Sequence, residues 1–77
     1  MAEGNAPIVT FEIGLVKAKV WKNGNHYNTK FARAYKTKDG KWEDGDSFGH
    51  ADLPVLERLA HRVEKFIDEA ITENGAT

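Results

Sequence analysis

Apolar and polar residues alternate along the first third of the chain, and the phase of this alternation changes once. Apolar side chains occupy odd positions from Phe11 to Leu15 and even positions from Val16 to Val20. Alternation with a period of two, in a segment rich in β-branched and aromatic residues, predicts a strand. Gly14 lies beside the change of phase. We therefore expect a bend or bulge that divides residues 8–21 into two strand segments.

A tight hairpin follows this stretch. Asn23-Gly24 is a strong turn signal, because both central residues of a type I′ turn need positive φ, and residues 27–37 form the returning strand. The turn can pair Lys22 with Asn25 or, with a longer loop, with Tyr27. Both registers assign the side chains to the same faces of the sheet, since they differ by two residues.

The last third of the chain carries a helical pattern, after a second turn at Asp39-Gly40 and a short strand around Trp42. Asp52 is the expected N-cap, and Pro54 fits the first turn because no intrahelical donor is lost there. Apolar residues then recur at steps of three and four over about five turns. These residues are Leu53, Leu56, Leu59, Ala60, Val63, Phe66, Ile67, Ala70 and Ile71.

These patterns predict one α+β domain over residues 8–72, with disordered tails at 1–7 and 73–77. Its fold is a curved antiparallel sheet of three or four strands (β-β-β or β-β-β-β), followed by one C-terminal amphipathic helix. A chain of 77 residues without cysteine has a thin core and no disulfide to support it. A homodimer would add buried surface, and a marginal monomer is the alternative. Without a leader-like or membrane-spanning apolar segment, we expect a cytoplasmic location.

Charge is segregated, although the net charge is only −1. Residues 13–38 carry seven basic side chains and no acidic one, whereas the chain from Trp42 onward carries nine carboxylates against three basic side chains. This division indicates one side that faces a polyanion and one solvated side. Lysines that protect strands from aggregation are the alternative interpretation.

The hairpin register places several basic residues on the face that the helix does not cover, together with Trp21. Ammonium groups neutralise phosphates, and an indole can stack on a base. We therefore predict a site for single-stranded DNA, in a cofactor of transcription or DNA maintenance. The predicted contacts are Lys17, Lys19, Trp21, Lys22, Asn28, Lys30, Lys36 and Lys38.

Two alternatives stay open at this point. Trp21 can instead pack across a dimer interface or against Asn28. The chain can also be a protein-interaction module without nucleic acid, whose polar sheet face or acidic turn at residues 43–46 docks a protein partner. Arg33 falls on the face assigned to the core, so it must lie near the sheet edge, pair with a carboxylate, or extend beyond the helix. Trp42 is expected in the core or at an interface.

No pattern of residues indicates an enzyme, a metal site or a cofactor. His26, His50 and His61 lie in different elements without ligand-like spacing. Ser47, the only serine, has no surrounding nucleophile signature, and the glycines form no phosphate-binding motif.

The order of short motifs resembles the positive cofactor four family of single-stranded-DNA-binding transcriptional coactivators. The motifs are Phe11-Glu12-Ile13-Gly14, a glycine hairpin, Arg33-Ala34-Tyr35, Asp39-Gly40 and Asp52-Leu53-Pro54 before the helix. The resemblance implies a four-stranded curved sheet with one helix, a helix-packed homodimer with two basic channels, and Arg33 as a DNA contact. The chain departs from the family in having Lys36 where an aromatic residue is favoured, and an acidic segment before the helix. It is also similar to small uncharacterised bacterial proteins, a likeness that implies no function.

Overall fold

A computed structural model describes residues 6–75 of the chain, as a four-stranded antiparallel sheet followed by one helix. The strands follow one another in the sheet in the order β1-β2-β3-β4. This architecture confirms the predicted α+β fold, with four strands rather than three. The elements are β1 (Val9–Ile13), β2 (Val16–Asn23), β3 (His26–Lys36), β4 (Trp42–Gly45), a 3₁₀ turn (His50–Asp52) and α1 (Leu53–Gly75).

Residues 1–5 of the predicted N-terminal tail and residues 76–77 of the predicted C-terminal tail lie outside the described residues. The helix continues to Gly75, beyond the predicted domain end at residue 72. Ala6 and Pro7 precede β1 without regular secondary structure.

A tight hairpin, rather than the predicted bend or bulge, separates β1 from β2. Ile13 pairs with Val16, and Gly14 adopts a φ of +61° in the two-residue turn between them. A reversal over two residues pairs odd positions of β1 with even positions of β2, so both apolar sets face the same side. The pairs are Val9 with Val20, Phe11 with Ala18 and Ile13 with Val16. The change of phase in the sequence is therefore the mark of a chain reversal.

The second hairpin has the longer of the two predicted registers. Lys22 pairs with Tyr27 and Asn23 with His26, which leaves Gly24 and Asn25 as the central turn residues. Gly24 has a φ of +59°, and no described residue other than glycine has a positive φ. This is the signature of a type II′ turn, in which only the first central residue needs positive φ, and not of the predicted type I′ turn. The face assignment is unchanged.

The helix lies across one side of the sheet and forms a small core there. The buried side chains are Val16, Ala18, Val20, Leu59 and Val63. The rings of Phe11 and Phe66 extend this core by an edge-to-face contact, with centroids 6.0 Å apart and an interplanar angle of 73°. The thin core expected from the chain length is thus present, and every buried side chain lies between the helix and its side of the sheet.

An ion pair joins β3 to the start of the helix. Arg33 Nε lies 2.9 Å from Asp52 Oδ2, the same oxygen that accepts a hydrogen bond from the backbone N–H of Gly49 at 2.7 Å. Asp52 immediately precedes α1, but it is the last residue of the 3₁₀ turn, whose N-cap is Gly49. Its carboxylate accepts from the Gly49 N–H before it and not from the helix that follows, so its predicted role as the N-cap is wrong. Of the three explanations open for an arginine on the covered side, pairing with a carboxylate is the one found.

Candidate functional site

No element within residues 6–75 covers the side of the sheet opposite the helix, which carries most of the predicted contact residues. Because side chains alternate along a strand, the register of the four strands fixes which of them share this side. We call it the open face. Its residues are Thr10 and Glu12 of β1, Lys17, Lys19, Trp21 and Asn23 of β2, His26, Asn28, Lys30, Ala32, Ala34 and Lys36 of β3, and Trp42 and Asp44 of β4.

Three predicted contact residues are not on the open face. Lys22 points to the helix side of the sheet, where its Nζ lies 5.6 Å from the ring centroid of Tyr27. Arg33 is on the same side and pairs with Asp52. Lys38 lies in the exposed turn between β3 and β4. The shared site is therefore narrower than the basic segment of the sequence.

Asp44 brings a carboxylate onto the open face, which the sequence analysis did not foresee. Its Oδ1 lies 3.4 Å from Lys17 Nζ and its Oδ2 lies 3.7 Å from Lys19 Nζ. The lysine side chains reach from β2 across β3 to β4, and the small Ala32 and Ala34 of β3 leave room for this crossing. The acidic turn at residues 43–46 therefore contacts the basic hairpin through Asp44.

Glu12 adds a second carboxylate to the open face, as the cross-strand partner of Lys17. Among the paired strand residues, the four lysines are therefore opposed by Glu12 and Asp44, which leaves a formal charge of +2 (4 − 2). Asp46, just after β4, lines the same groove as Lys30 and lowers this to +1 (4 − 3). Within the described residues, no carboxylate lies in ion-pair distance of Lys30 or Lys36. The excess positive charge is accordingly concentrated on β3.

Trp42 is exposed on the open face, so its predicted place in the core is wrong. It pairs with Lys36, and 59% of its surface is exposed. A shallow groove of about 400 Å³ lies beside it, with Leu15, Lys17 and Ala34 among its walls. Its position at an interface, the other expectation for this residue, stays a prediction.

Trp21 occupies the other end of the open face. A shallow groove of about 750 Å³ runs past it, lined by Lys19, Lys30 and Ala32 on one side and by Asp44 and Asp46 on the other. A second groove, of about 510 Å³, continues from Trp21 toward Ile8 and Asn28.

The two indoles mark the length of the open face. Trp21 is the partner of Asn28, and Trp42 is the partner of Lys36 eight residues further along β3. At about 3.3 Å per residue, roughly 26 Å separate the two positions. A ligand that contacts both tryptophans must therefore be extended.

Tyr35 and Glu43 form a polar pair at the far edge of the helix side. The Tyr35 hydroxyl donates a hydrogen bond of 3.0 Å to Glu43 Oε1. This hydrogen bond and the negative charge of the carboxylate, with a smaller contribution from burial, raise the pKa of Tyr35 above its ordinary value of 10.0. The pair is exposed and faces away from the lysines of the open face.

The described residues do not bring ligating side chains together elsewhere. No group of three or more histidine or acidic side chains is placed to hold a metal ion within residues 6–75. His61 Nδ1 lies 4.0 Å from Glu64 Oε1, both on the exposed surface of the helix.

The helix of the described chain is not apolar enough over a sufficient length to cross a membrane.

Comparisons with protein-family models, curated proteins and solved structures find no match to this chain. The likeness of its motifs to the positive cofactor four family therefore stays a prediction.

Proposed function

We propose that the open face binds single-stranded nucleic acid, with single-stranded DNA as the expected ligand. The observation that carries the proposal is the sharing of one uncovered sheet face by four lysines and both tryptophans of the chain. Ammonium groups supply affinity for phosphates, and aromatic rings supply a platform for bases.

The shape of the face favours a single strand over a folded ligand. Ala32 and Ala34 form a low strip between the lysines of β2 and the residues of β4. The Lys17 and Lys19 side chains cross this strip to reach Asp44. A backbone can lie along the strip, with its bases at the indoles, when these side chains turn to its phosphates. Stacking on an aromatic side chain contributes about 1–3 kcal/mol per base in known single-strand binders, and it requires bases that are not already paired.

Titration of an oligothymidine of about twelve nucleotides tests the proposal. At the rise of about 3.4 Å per nucleotide of duplex DNA, roughly eight nucleotides cover the distance between the indoles, and a more extended single strand needs fewer. Both tryptophans lie on the open face, so a bound base is expected to quench the intrinsic fluorescence of the protein. Binding should weaken with salt, by a slope of about −0.7 in log affinity per neutralised phosphate. Absence of binding at low salt would contradict the proposal.

Two charge-reversal variants distinguish binding at the open face from a general effect of the net charge of the chain. Lys30→Glu changes the face, whereas Lys65→Glu makes the same change on the exposed side of the helix. We expect Lys30→Glu to weaken binding by about tenfold, as reversal of one close phosphate contact implies. Equal effects of the two variants would show that no particular face is used.

We further propose that the protein acts as a homodimer through its helix. Leu53 and Ile71, at the two ends of the apolar stripe, are more than half exposed. The radius of gyration is 14.5 Å, against about 11 Å for a compact domain of this length, so the single chain is flat and leaves apolar surface uncovered. Light scattering of the purified protein tests the dimer. A monomer at micromolar concentration would exclude it, and Ile71→Glu is the variant expected to break it.

A second candidate function is the docking of a protein partner on the open face. Trp42 and Leu15 form an exposed apolar patch beside the mixed charges of Lys17 and Asp44, and aromatic residues are enriched at protein interfaces. The same fluorescence signal discriminates the two functions. If oligothymidine leaves the spectrum unchanged at low salt and a partner captured by the protein is lost on Trp42→Ala, protein docking is favoured.

A further inference from the structure

The ion pairs of Asp44 resemble the contact that a phosphodiester would make at the same place. Each carboxylate oxygen faces a different ammonium, Oδ1 that of Lys17 and Oδ2 that of Lys19. The two non-bridging oxygens of a phosphodiester also carry the negative charge, so each could face one of the two ammonium groups in the same way. A phosphate that approaches these lysines must therefore displace Asp44 or bind beside its negative charge.

The three side chains remain in contact with water, which makes this exchange possible. About two fifths of the Asp44 side chain is exposed, and the lysines are a quarter to a third exposed. Ion pairs of this kind contribute little to stability because solvent screens them. Asp44 is consequently a weak internal competitor, whereas Lys30 and Lys36 have no such competitor among the described residues.

We infer that Asp44 determines the selectivity of the open face for single strands over duplexes. This inference rests on the proposed function. Affinity for any polyanion grows with the number of phosphates that are neutralised. With Asp44 in place, two of the four lysines are already paired, so phosphate contacts alone are weak. Binding then depends on Trp21 and Trp42, which a duplex cannot use because its bases are paired and stacked.

Asp44→Asn tests the inference, because it removes the charge and keeps the size of the side chain. We expect duplex binding to strengthen by about tenfold at low salt and single-strand binding by less, so that the ratio of the two affinities falls several-fold. The salt slope for the duplex should steepen by up to about 1.8, which corresponds to two further phosphates at about 0.9 each.

Glu43→Gln is the matched control. Glu43 is the neighbour of Asp44 in β4 and carries the same charge, but it points to the other side of the sheet and accepts the hydrogen bond of Tyr35. The affinities of wild type and both variants are measured for an oligothymidine and for a duplex of the same length. A lower ratio and a steeper duplex slope in Asp44→Asn alone support the inference.

The contrary outcomes separate this inference from the proposed function. If the wild type binds the single strand and the two variants shift the ratio equally, only net charge matters and the role of Asp44 is refuted. Weaker single-strand binding by Asp44→Asn would mean that Asp44 positions the lysines, which also refutes it. If neither the wild type nor Asp44→Asn binds either nucleic acid at low salt, the proposed function fails together with the inference.

Discussion

The two sides of the sheet are built under different constraints. On the helix side, Val16, Ala18 and Val20 are at most 3% exposed and pack against Leu59 and Val63. On the open face, the residues between them in sequence are lysines and a tryptophan, and the buried positions of the described chain include none of them. Burial therefore dictates one side, and the fold leaves the other side nearly unconstrained. The proposed function rests on these residue types, which folding does not require.

The largest expected effect is a loss of stability when a buried side chain at the centre of the helix side is truncated. Leu59→Ala should lower the free energy of unfolding by about 2–5 kcal/mol, because it leaves a cavity in a core with only five buried residues in the described part of the chain. Lys30→Ala on the open face is the matched change and should stay within about 0.5 kcal/mol. Urea denaturation measures both.

Leu59→Met provides a milder substitution at the same position, in case Leu59→Ala does not fold. It conserves volume and should cost less than about 1.5 kcal/mol. Comparable losses from Leu59→Ala and Lys30→Ala would contradict this expectation, because they would mean that the two sides of the sheet contribute alike to stability.

The charged pair on the helix side should give the next largest effect. Asp52→Asn weakens the contacts to Arg33 and Gly49, and we expect a loss of about 1.5–3 kcal/mol, the range for hydrogen bonds that involve a charged group. Asp68→Asn, on the exposed surface of the same helix, should change stability little.

A double-mutant cycle with Arg33→Met identifies the origin of that loss. If Arg33 and Asp52 interact as their distance implies, the second substitution should cost less once the first has been made. Additive losses would show that Asp52 acts only through Gly49. Because Arg33 is held on the helix side, Arg33→Met is also expected to leave oligothymidine affinity nearly unchanged.

The sequence predicted the helix, the hairpin at Asn23-Gly24 and the two faces of the sheet because these depend on local periodicity and on the alternation of side chains along a strand. The spacing of Leu59 and Val63 is sufficient to orient the helix, and Asn23-Gly24 is sufficient to locate a turn. The open face was predicted only in part, because its charge depends on pairings between distant elements. Asp44 lies on a strand of four residues, and its parity is set by a turn whose exact length the sequence does not specify.

Two other differences have the same origin. Gly14 marks a chain reversal, and a bulge and a reversal produce similar local patterns until the strands are seen to pair. Trp42 was expected in the core or at an interface because tryptophan is highly buried on average. It is not in the core, because β4 is an edge strand and the helix covers the opposite side. The signal available in the sequence was the alternation from Trp42 to Asp44, which places both on one side of a strand.

A substitution in the turn between β1 and β2 should reduce stability by a smaller amount. Gly14 has a φ of +61°, which costs a residue with a Cβ roughly 1–2 kcal/mol, although no atom would contact the added methyl group within 4 Å. Gly14→Ala is therefore expected to destabilise through backbone strain alone. Gly49→Ala is the control, since Gly49 has an ordinary φ of −83° and its nearest neighbour would be 3.6 Å away. Thermal melting of the two variants should separate them, and equal melting temperatures would argue against a strained turn.

The smallest effect on stability is expected at Tyr35, which lies on the helix side of the sheet but is exposed. Glu43 raises the pKa of Tyr35, so the folded state favours the protonated phenol more than the unfolded state does. This contribution to stability is complete below the ordinary pKa of 10.0 and is lost as the pH rises through the higher pKa of the folded state.

Glu43→Gln should move the Tyr35 pKa back toward the ordinary value. NMR of the tyrosine ring across alkaline pH measures this change. The same titration in Asp44→Asn should leave Tyr35 unchanged, because Asp44 lies on the open face. A shift of equal size in both variants would mean that the two sides of β4 are not electrostatically separate.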